Sequence, residues 1–189
     1  MRIILGSGSP RRKELLSGLD IPFTVDTGNS FEEWMPSDVD PHEIPVMMAE
    51  GKNSAFHREL LEDELLITAD TVVIVGGQTL GKPKDREDAF RMLRLLSGRT
   101  HEGVTAVTLR TLQRSETFTA STLVTFAELS DDEIRNYIDK YHPFDKAGSY
   151  GVQEWIGYVA FSRLEGSFYN VMGLPVHLLY RHLRKFGAC

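Results

Sequence analysis

The sequence predicts a mixed α/β fold, a twisted sheet with flanking helices. Two observations predict it: short β-rich runs recur between segments whose apolar residues follow a helical period, and some of these runs are close enough in sequence to form hairpins. Hairpins add antiparallel pairs to the parallel pairs that helical crossovers allow, so we expect a mixed sheet. A chain of 189 residues can bury a substantial core, and we assign residues 1–189 to a single domain.

The N-terminal part of the chain predicts two strands, each followed by a helix. Ile3–Leu5 is a short apolar run typical of a buried strand, and Phe23–Val25 predicts a second strand. After the first strand, Ser9 suits the N-cap of a helix and Pro10 its first position. The sequence Asp40-Pro41 repeats this pattern before a second helix, which we expect to reach about residue 61.

The rest of the chain alternates between β-rich and helical segments. The runs Leu65–Thr68 and Val72–Val75 flank Asp70, so we expect this aspartate at a strand end. Further elements are a turn at Gly76-Gly77, a helix capped by Asp85, two long strands between Gly103 and Ala127, a helix with a capping box at Ser130 and Glu133, a strand over Val159–Leu164 and a closing helix over Pro175–Phe186.

Composition narrows the class of protein. The net charge is −6, which argues against a broad nucleic-acid interface, so a polyanionic ligand needs a local cluster of cations. No apolar run approaches the roughly 20 residues of a membrane-spanning helix, and the first apolar stretch is too short for a signal peptide. The single cysteine, Cys189, excludes an intrachain disulfide. We therefore expect a cytoplasmic protein without nucleic-acid or membrane partners.

The turn at residues 6–12 has the features of a phosphate site. A glycine-rich turn between a strand and a helix N-terminus offers unpaired N–H groups at the positive end of the helix dipole. Ser7 and Ser9 add hydroxyl groups, and Arg11 and Arg12 add guanidinium groups that bind phosphate oxygens in pairs. The spacing matches neither the dinucleotide-binding fingerprint nor a Walker A loop. The same residues also fit a capped helix with two solvated arginines.

Acidic and basic side chains elsewhere offer hydrolytic chemistry. Asp70 is suited to hold a divalent cation or to take a proton from water, and Glu32 and Glu33 form a second acidic site that could share the cation. Lys52, Lys82 and Lys146 are candidates for neutralising phosphate charge. Gln153, in a glycine-punctuated loop, has the donor and acceptor that the edge of uracil or thymine requires. Each of these residues, considered alone, also fits a turn or a solvated surface.

Six segments, in this order, resemble the Maf family of septum-formation-like nucleotide pyrophosphatases. They span nearly the whole chain: residues 7–16 (SGSPRRKELL), 69–73 (ADTVV), 81–85 (GKPKD), 92–101 (MLRLLSGRTH), 145–153 (DKAGSYGVQ) and 171–175 (VMGLP). The resemblance implies a fold with a cleft like that of inosine-triphosphate pyrophosphatases, a homodimer, a divalent cation (Mg²⁺ or Mn²⁺), and hydrolysis of a nucleoside triphosphate to its monophosphate and pyrophosphate.

The resemblance also implies roles for individual residues. Asp70 is implied to be the catalytic carboxylate, Glu33 to assist with the metal, and Ser9, Arg11, Arg12, Lys52 and Lys82 to line the phosphate path. Family branches selective for dTTP and UTP or for methylated GTP differ at three points, and Arg11, Thr71 and Gln153 resemble the dTTP/UTP branch. The alternative belongs to a different class of protein: a nucleotide-binding regulator of cell division that has little catalytic activity. One departure, Gly51 before Lys52, puts a poor helix former into the second helix.

Overall fold

The computed structural model describes residues 1–34, 36 and 38–189, and it confirms the mixed α/β fold. Seven strands form one sheet in the order β2-β1-β3-β5-β6-β7, and β4 pairs with β3 outside this path. The strands are β1 (Arg2–Leu5), β2 (Phe23–Val25), β3 (Glu64–Val75), β4 (Gln78–Leu80), β5 (Thr100–Arg110), β6 (Ser115–Phe126) and β7 (Phe161–Glu165). Pairs of both orientations occur, because β1 is parallel to β2 and β3 whereas β4 and β7 run antiparallel to their neighbours.

Helices connect most of these strands. The α-helices of the described residues are α1 (Pro10–Ser17), α2 (Glu43–Ser54), α3 (Arg86–Leu96), α4 (Asp131–Tyr141), α5 (Trp155–Ala160), α6 (Phe168–Met172) and α7 (Val176–Lys185), and Ala147–Ser149 form a short 3₁₀ turn. Within the part of the chain that the structure describes, no helix is long and apolar enough to cross a membrane. The chain divides into two compact units, unit 1 and unit 2.

Unit 1 contains residues 1–70, 105–120 and 173–189. Its core is built on the parallel pairing of β1 with β3, in which Ile4 is aligned with Leu66. Both side chains are buried and contact Phe56 and Leu60, which follow α2. Burial of such apolar residues on both faces of the strands is typical of the interior of a mixed sheet and accounts for the β-rich runs that predicted them.

Unit 2 contains residues 71–104 and 121–172. The β3–β4 hairpin turns at Gly76 and Gly77, whose φ angles of 56° and 78° require glycine or a residue that tolerates the left-handed region. Helices α3 and α4 pack against each other through apolar stripes. The predicted capping box of α4 is confirmed, since the Ser130 hydroxyl accepts from Glu133 N and the Glu133 carboxylate accepts from Ser130 N.

Three sequence-based expectations about elements are wrong. Helix α2 ends at Ser54 rather than near residue 61, because the next residues bond to another segment: Ala55 O accepts from Ser30 N, and His57 N donates to Gly28 O. Strand β3 continues through Asp70, which therefore lies inside a strand and not at its end. Helix α5 includes Val159, where a strand was predicted, and β7 begins only at Phe161.

The single-domain assignment of residues 1–189 and the cleft implied by the family resemblance stay predictions.

Candidate active site

A half-buried lysine bridges two carboxylates in unit 1. Lys52 Nζ lies 2.7 Å from Asp70 Oδ1 and 2.8 Å from Glu33 Oε1. The side chains of Lys52 and Asp70 are only 13% and 15% exposed, whereas that of Glu33 is 50% exposed. The pair formed by Lys52 and Asp70 is therefore largely shielded from solvent, where charge interactions are stronger than at the surface, and Glu33 forms its outer side. The structure thus brings together three of the residues that the sequence analysis selected.

Asn53 fixes the end of α2 that carries Lys52. Its side chain is 1% exposed, and its Nδ2 donates to Thr68 Oγ1 at 3.1 Å and to Thr108 O at 3.3 Å. Arg110 donates from Nε to Asn53 Oδ1 at 2.6 Å and from a second nitrogen to Asn53 O at 2.8 Å. Thr68 Oγ1 also donates to Ala49 O at 2.7 Å, one turn earlier in α2. These bonds attach the last turn of the helix to β3 and β5, directly beside Lys52.

Gly51 leaves space for an aromatic ring against the same turn of α2. A Cβ atom at Gly51 would lie 2.1 Å from Cε2 and 2.4 Å from Cζ of Phe31, so only glycine permits this approach. Phe31 belongs to the 26–34 segment, which is also held by the bonds of Ser30 N to Ala55 O and of His57 N to Gly28 O. Since Glu33 is two residues beyond Phe31, the glycine that departs from the family pattern contributes to placing a carboxylate on Lys52.

The arginine-bearing turn is organised by its serines. Ser9 is the N-cap of α1, and its Oγ accepts from Arg12 N at 3.5 Å, with Pro10 at the first helical position as predicted. Ser7 Oγ accepts from Ser9 N at 3.3 Å and from an Arg12 guanidinium nitrogen at 3.4 Å. Arg12 Nε donates to Gly173 O at 2.8 Å, so its side chain is attached at two points. Arg11 beside it is half-buried.

The charges of Arg12 and the two carboxylates act on one another. Burial lowers the pKa of the Arg12 guanidinium, and the neighbouring charge of Arg11 acts in the same direction. The carboxylates of Asp70 and Glu33 oppose this effect by raising the pKa. An electrostatic interaction of this kind requires proximity in a region of limited solvent screening. The turn at residues 6–12 and the Lys52 site therefore form one charged region of unit 1.

The remaining candidate residues belong to unit 2. Thr71 follows Asp70 directly in β3 and is half-buried, and Lys82 is exposed just after β4. Gln153 is half-buried in the turn before α5, and its Oε1 atom is buried without a hydrogen-bond partner among the described residues. Gly148 N donates to Gly81 O at 3.0 Å, which attaches the loop before Gln153 to the residue preceding Lys82.

Comparison with known proteins identifies the family. The sequence profile described as "Maf-like protein" matches residues 2–186. The chain belongs to the Maf family. A relative from Porphyromonas gingivalis (strain ATCC 33277) named "dTTP/UTP pyrophosphatase" is 58% identical over 188 residues, which cover 98% of this chain and 94% of the relative. Relatives of the same name from Bacteroides thetaiotaomicron and Parabacteroides distasonis are 50% and 48% identical, over 97% and 98% of this chain and 95% and 96% of their own length.

The donor set of this Maf protein fits a divalent cation completed by substrate. Among residues 1–34, 36 and 38–189, no group of three His, Cys, Asp or Glu side chains is arranged to hold a metal ion. Asp70 and Glu33 nevertheless present carboxylate oxygens to the same point, the Nζ atom of Lys52. Magnesium is usually held by one or two carboxylates together with waters and substrate phosphates, so two carboxylates are a sufficient protein contribution.

Sequence reasoning missed the residues that support the site. Asn53 and Arg110 gave no signal, since an asparagine on a predicted helix and an arginine at the end of a predicted strand are ordinary surface residues. Tyr137 and Glu154, which bond to each other and to the loop before Gln153, were equally inconspicuous. Only the adjacency of Asn53 to Lys52 in the sequence offered a hint.

Proposed function

We propose that this Maf protein is a nucleoside triphosphate pyrophosphatase that hydrolyses dTTP and UTP to the monophosphate and pyrophosphate. The observation that carries the proposal is the contact of Lys52 with both Asp70 and Glu33, next to an arginine-bearing turn. This arrangement offers a carboxylate for water and cations for phosphate within one region. The names and the near-complete coverage of the relatives support the same activity.

Asp70 is the proposed general base. Its Oδ1 atom is held by Lys52, so the carboxylate has a fixed orientation from which to accept a proton from the attacking water. The water oxygen then bonds to a phosphorus of the α–β bridge and the bridging P–O bond breaks, which gives the monophosphate and pyrophosphate. Lys52 serves two purposes, because it orients Asp70 and adds positive charge beside the reacting phosphates.

Glu33 and Asp70 are the proposed ligands of a divalent cation, Mg²⁺ or Mn²⁺. When bound, such an ion neutralises phosphate charge and lowers the pKa of a coordinated water. Glu33 is the more exposed of the two carboxylates, which suits a ligand that also meets solvent and substrate. Lys82 completes the proposed catalytic set as a further cation for the phosphates.

The arginine-bearing turn is the proposed phosphate path. Arg12 is attached at Gly173 and Ser7 and so presents its guanidinium with little loss of conformational freedom on binding. Ser9 and Arg11 are the proposed further contacts, with the N-terminus of α1 behind them. A triphosphate carries about four negative charges near neutral pH, which explains the need for several cations.

Selectivity for dTTP and UTP is proposed to depend on Arg11, Thr71 and Gln153. The unpartnered Oε1 atom of Gln153 supports its part, since a buried acceptor of this kind suits the N3–H donor of uracil or thymine. We further propose a cytoplasmic homodimer that binds no nucleic acid, which fits the net charge of −6.

A substrate panel tests the proposal. The purified protein is assayed for pyrophosphate release from UTP, dTTP, CTP, GTP, ATP and 7-methyl-GTP, with Mg²⁺ and with Mn²⁺. We expect metal-dependent hydrolysis with a preference for UTP and dTTP. Preference for 7-methyl-GTP would assign the chain to the other branch, and nucleotide binding without turnover would favour the regulator of cell division.

A further inference from the structure

A buried cluster in unit 2 surrounds the turn that carries Gln153. The hydroxyl of Tyr137, a residue of α4 that is 1% exposed, donates to Glu154 Oε2 and accepts from Gly151 N at 3.0 Å. Lys146 is 8% exposed, and its Nζ lies 3.2 Å from Glu154 Oε1. Tyr137, Lys146, Gly151 and Glu154 are called the Tyr137 cluster below.

The Tyr137 cluster holds both ends of a tight turn. Glu154 N donates to Gly151 O at 3.0 Å, and one hydroxyl, that of Tyr137, contacts both of these residues. A Cβ atom at Gly151 would lie 2.7 Å from Glu154 Cδ and 3.0 Å from Lys146 Cε, so the glycine permits this close packing. Gln153 lies between the two held positions, and its backbone has little freedom to rotate.

The backbone before the turn is also constrained. Gly148 and Ser149 have φ angles of 67° and 63°, in the left-handed region, which costs energy at the serine. Gly148 is packed against Val73, since an added Cβ would lie 2.9 Å from a methyl carbon of that valine. Lys146, which begins this loop, also contacts Asp145 Oδ1 at 2.8 Å. A strained backbone conformation persists only where the surrounding contacts hold it in place, and such conformations are concentrated at binding sites.

The orientation of the Gln153 amide decides which pyrimidine it can bind. Uracil and thymine offer an N3–H donor between two carbonyl acceptors, whereas cytosine offers an amino donor beside an N3 acceptor. An amide that can rotate by 180° presents either its oxygen or its nitrogen to the base and satisfies both patterns. Discrimination therefore requires that the turn be held, and the Gln153 Oε1 atom, buried without a partner among the described residues, is an acceptor that a ligand donor can satisfy.

We propose that Tyr137 is a positioning residue for base selection, which fixes the Gln153 turn through Glu154 and Gly151 so that Oε1 accepts from the N3–H of uracil or thymine. This inference rests on the proposed function. It adds a specificity determinant that does not touch the substrate and acts only through the Tyr137 cluster.

The test compares two tyrosine variants of the same helix. Tyr137→Phe removes the hydroxyl that holds both ends of the turn, whereas Tyr141→Phe makes the same chemical change on a ring stacked against Tyr137 at 5.1 Å, outside the cluster. The readout is the ratio of kcat/KM for UTP to that for CTP. We expect Tyr137→Phe to lower this ratio about tenfold, the scale of losing a hydrogen bond to a charged group, and Tyr141→Phe to leave it unchanged.

The outcomes separate positioning from general stability. An unchanged ratio in a folded Tyr137→Phe variant overturns the proposal, and so does an equal fall in Tyr141→Phe. If Tyr137→Phe does not fold, Glu154→Gln, which removes the charge that Lys146 contacts, is judged by the same ratio. If the wild-type protein releases no pyrophosphate from UTP, the proposed function fails. Whether Tyr137 holds the turn is then judged separately by hydrogen exchange of the Gly151 amide, and exchange that is no faster in Tyr137→Phe overturns the inference on its own ground.

Discussion

Replacing Gly51 by alanine should change the cation dependence of the enzyme while leaving its stability nearly unchanged. The new Cβ would lie 2.1 Å from Cε2 of Phe31. Carbon atoms in contact are normally about 3.5–4.0 Å apart, so the ring has to retreat by roughly 1.5 Å. Alanine favours the helix by about 1 kcal/mol over glycine. The half-buried ring loses packing of similar size, about 1 kcal/mol, so the two effects nearly cancel in the free energy of unfolding.

The Gly51→Ala substitution should nevertheless weaken the binding of the cation. Moving Phe31 moves the 26–34 segment and withdraws Glu33 from Lys52, so one proposed metal ligand is misplaced. We expect the Mg²⁺ concentration for half-maximal pyrophosphate release at saturating UTP to rise about tenfold, the lower end of the effects of supporting residues on metal affinity. The double variant Gly51→Ala/Phe31→Ala removes the clash and should behave like Phe31→Ala alone. A half-activating Mg²⁺ concentration equal to that of the wild type would show that Gly51 does not help to place Glu33.

Four other changes have defined expected results. Asp70→Asn should lower turnover of UTP roughly 10²–10⁴-fold in a protein with unchanged circular dichroism, and near-normal turnover would exclude Asp70 as the base. Asn53→Ala should lower the free energy of unfolding by about 2–4 kcal/mol in urea titrations, because it removes the buried acceptor of Arg110 Nε and the amide that donates to Thr68 Oγ1 and Thr108 O. Burial lowers the pKa of His101 to about 4, so the unfolded state binds the proton more readily below about pH 6.5. Between pH 7 and pH 5, the free energy of unfolding should therefore fall by about 2 kcal/mol more in the wild type than in His101→Leu. The same pH dependence of unfolding in both proteins would contradict this. Gln153→Glu should lower the turnover of UTP and dTTP while leaving the midpoint of unfolding nearly unchanged. An unchanged preference among the common triphosphates would count against a role of Gln153 in base recognition.

Local chemistry allowed much of the fold to be predicted from the sequence. The Ser9–Pro10 helix start and the Ser130 capping box are confirmed because caps depend on neighbouring residues only. The end of α2 could not be predicted, since the backbone after Ser54 bonds to residues 28–30, far away in the sequence. The extent of β3 could not be predicted either, since its first half is held by pairing with β1, which is far away in the sequence.

The candidate site, like the fold, could be predicted from the sequence only in part. Asp70, Glu33 and Lys52 were selected by residue type and family resemblance, and the structure brings their charged groups into contact. The supporting residues could not be predicted, because their significance depends on burial and on partners from other elements. Asn53 is bonded to an arginine 57 positions later. Gly51 was expected to weaken the helix, yet its importance is the space that it leaves for a ring.

The products of UTP hydrolysis show which phosphoanhydride bond the enzyme breaks. UTP is incubated with the purified protein and Mg²⁺, and the phosphorus-containing products are followed by ³¹P nuclear magnetic resonance. We expect UMP and pyrophosphate in equal amounts, without inorganic phosphate, because water attacks at the α–β bridge. Formation of UDP and inorganic phosphate, or the absence of turnover with either Mg²⁺ or Mn²⁺, would contradict this expectation.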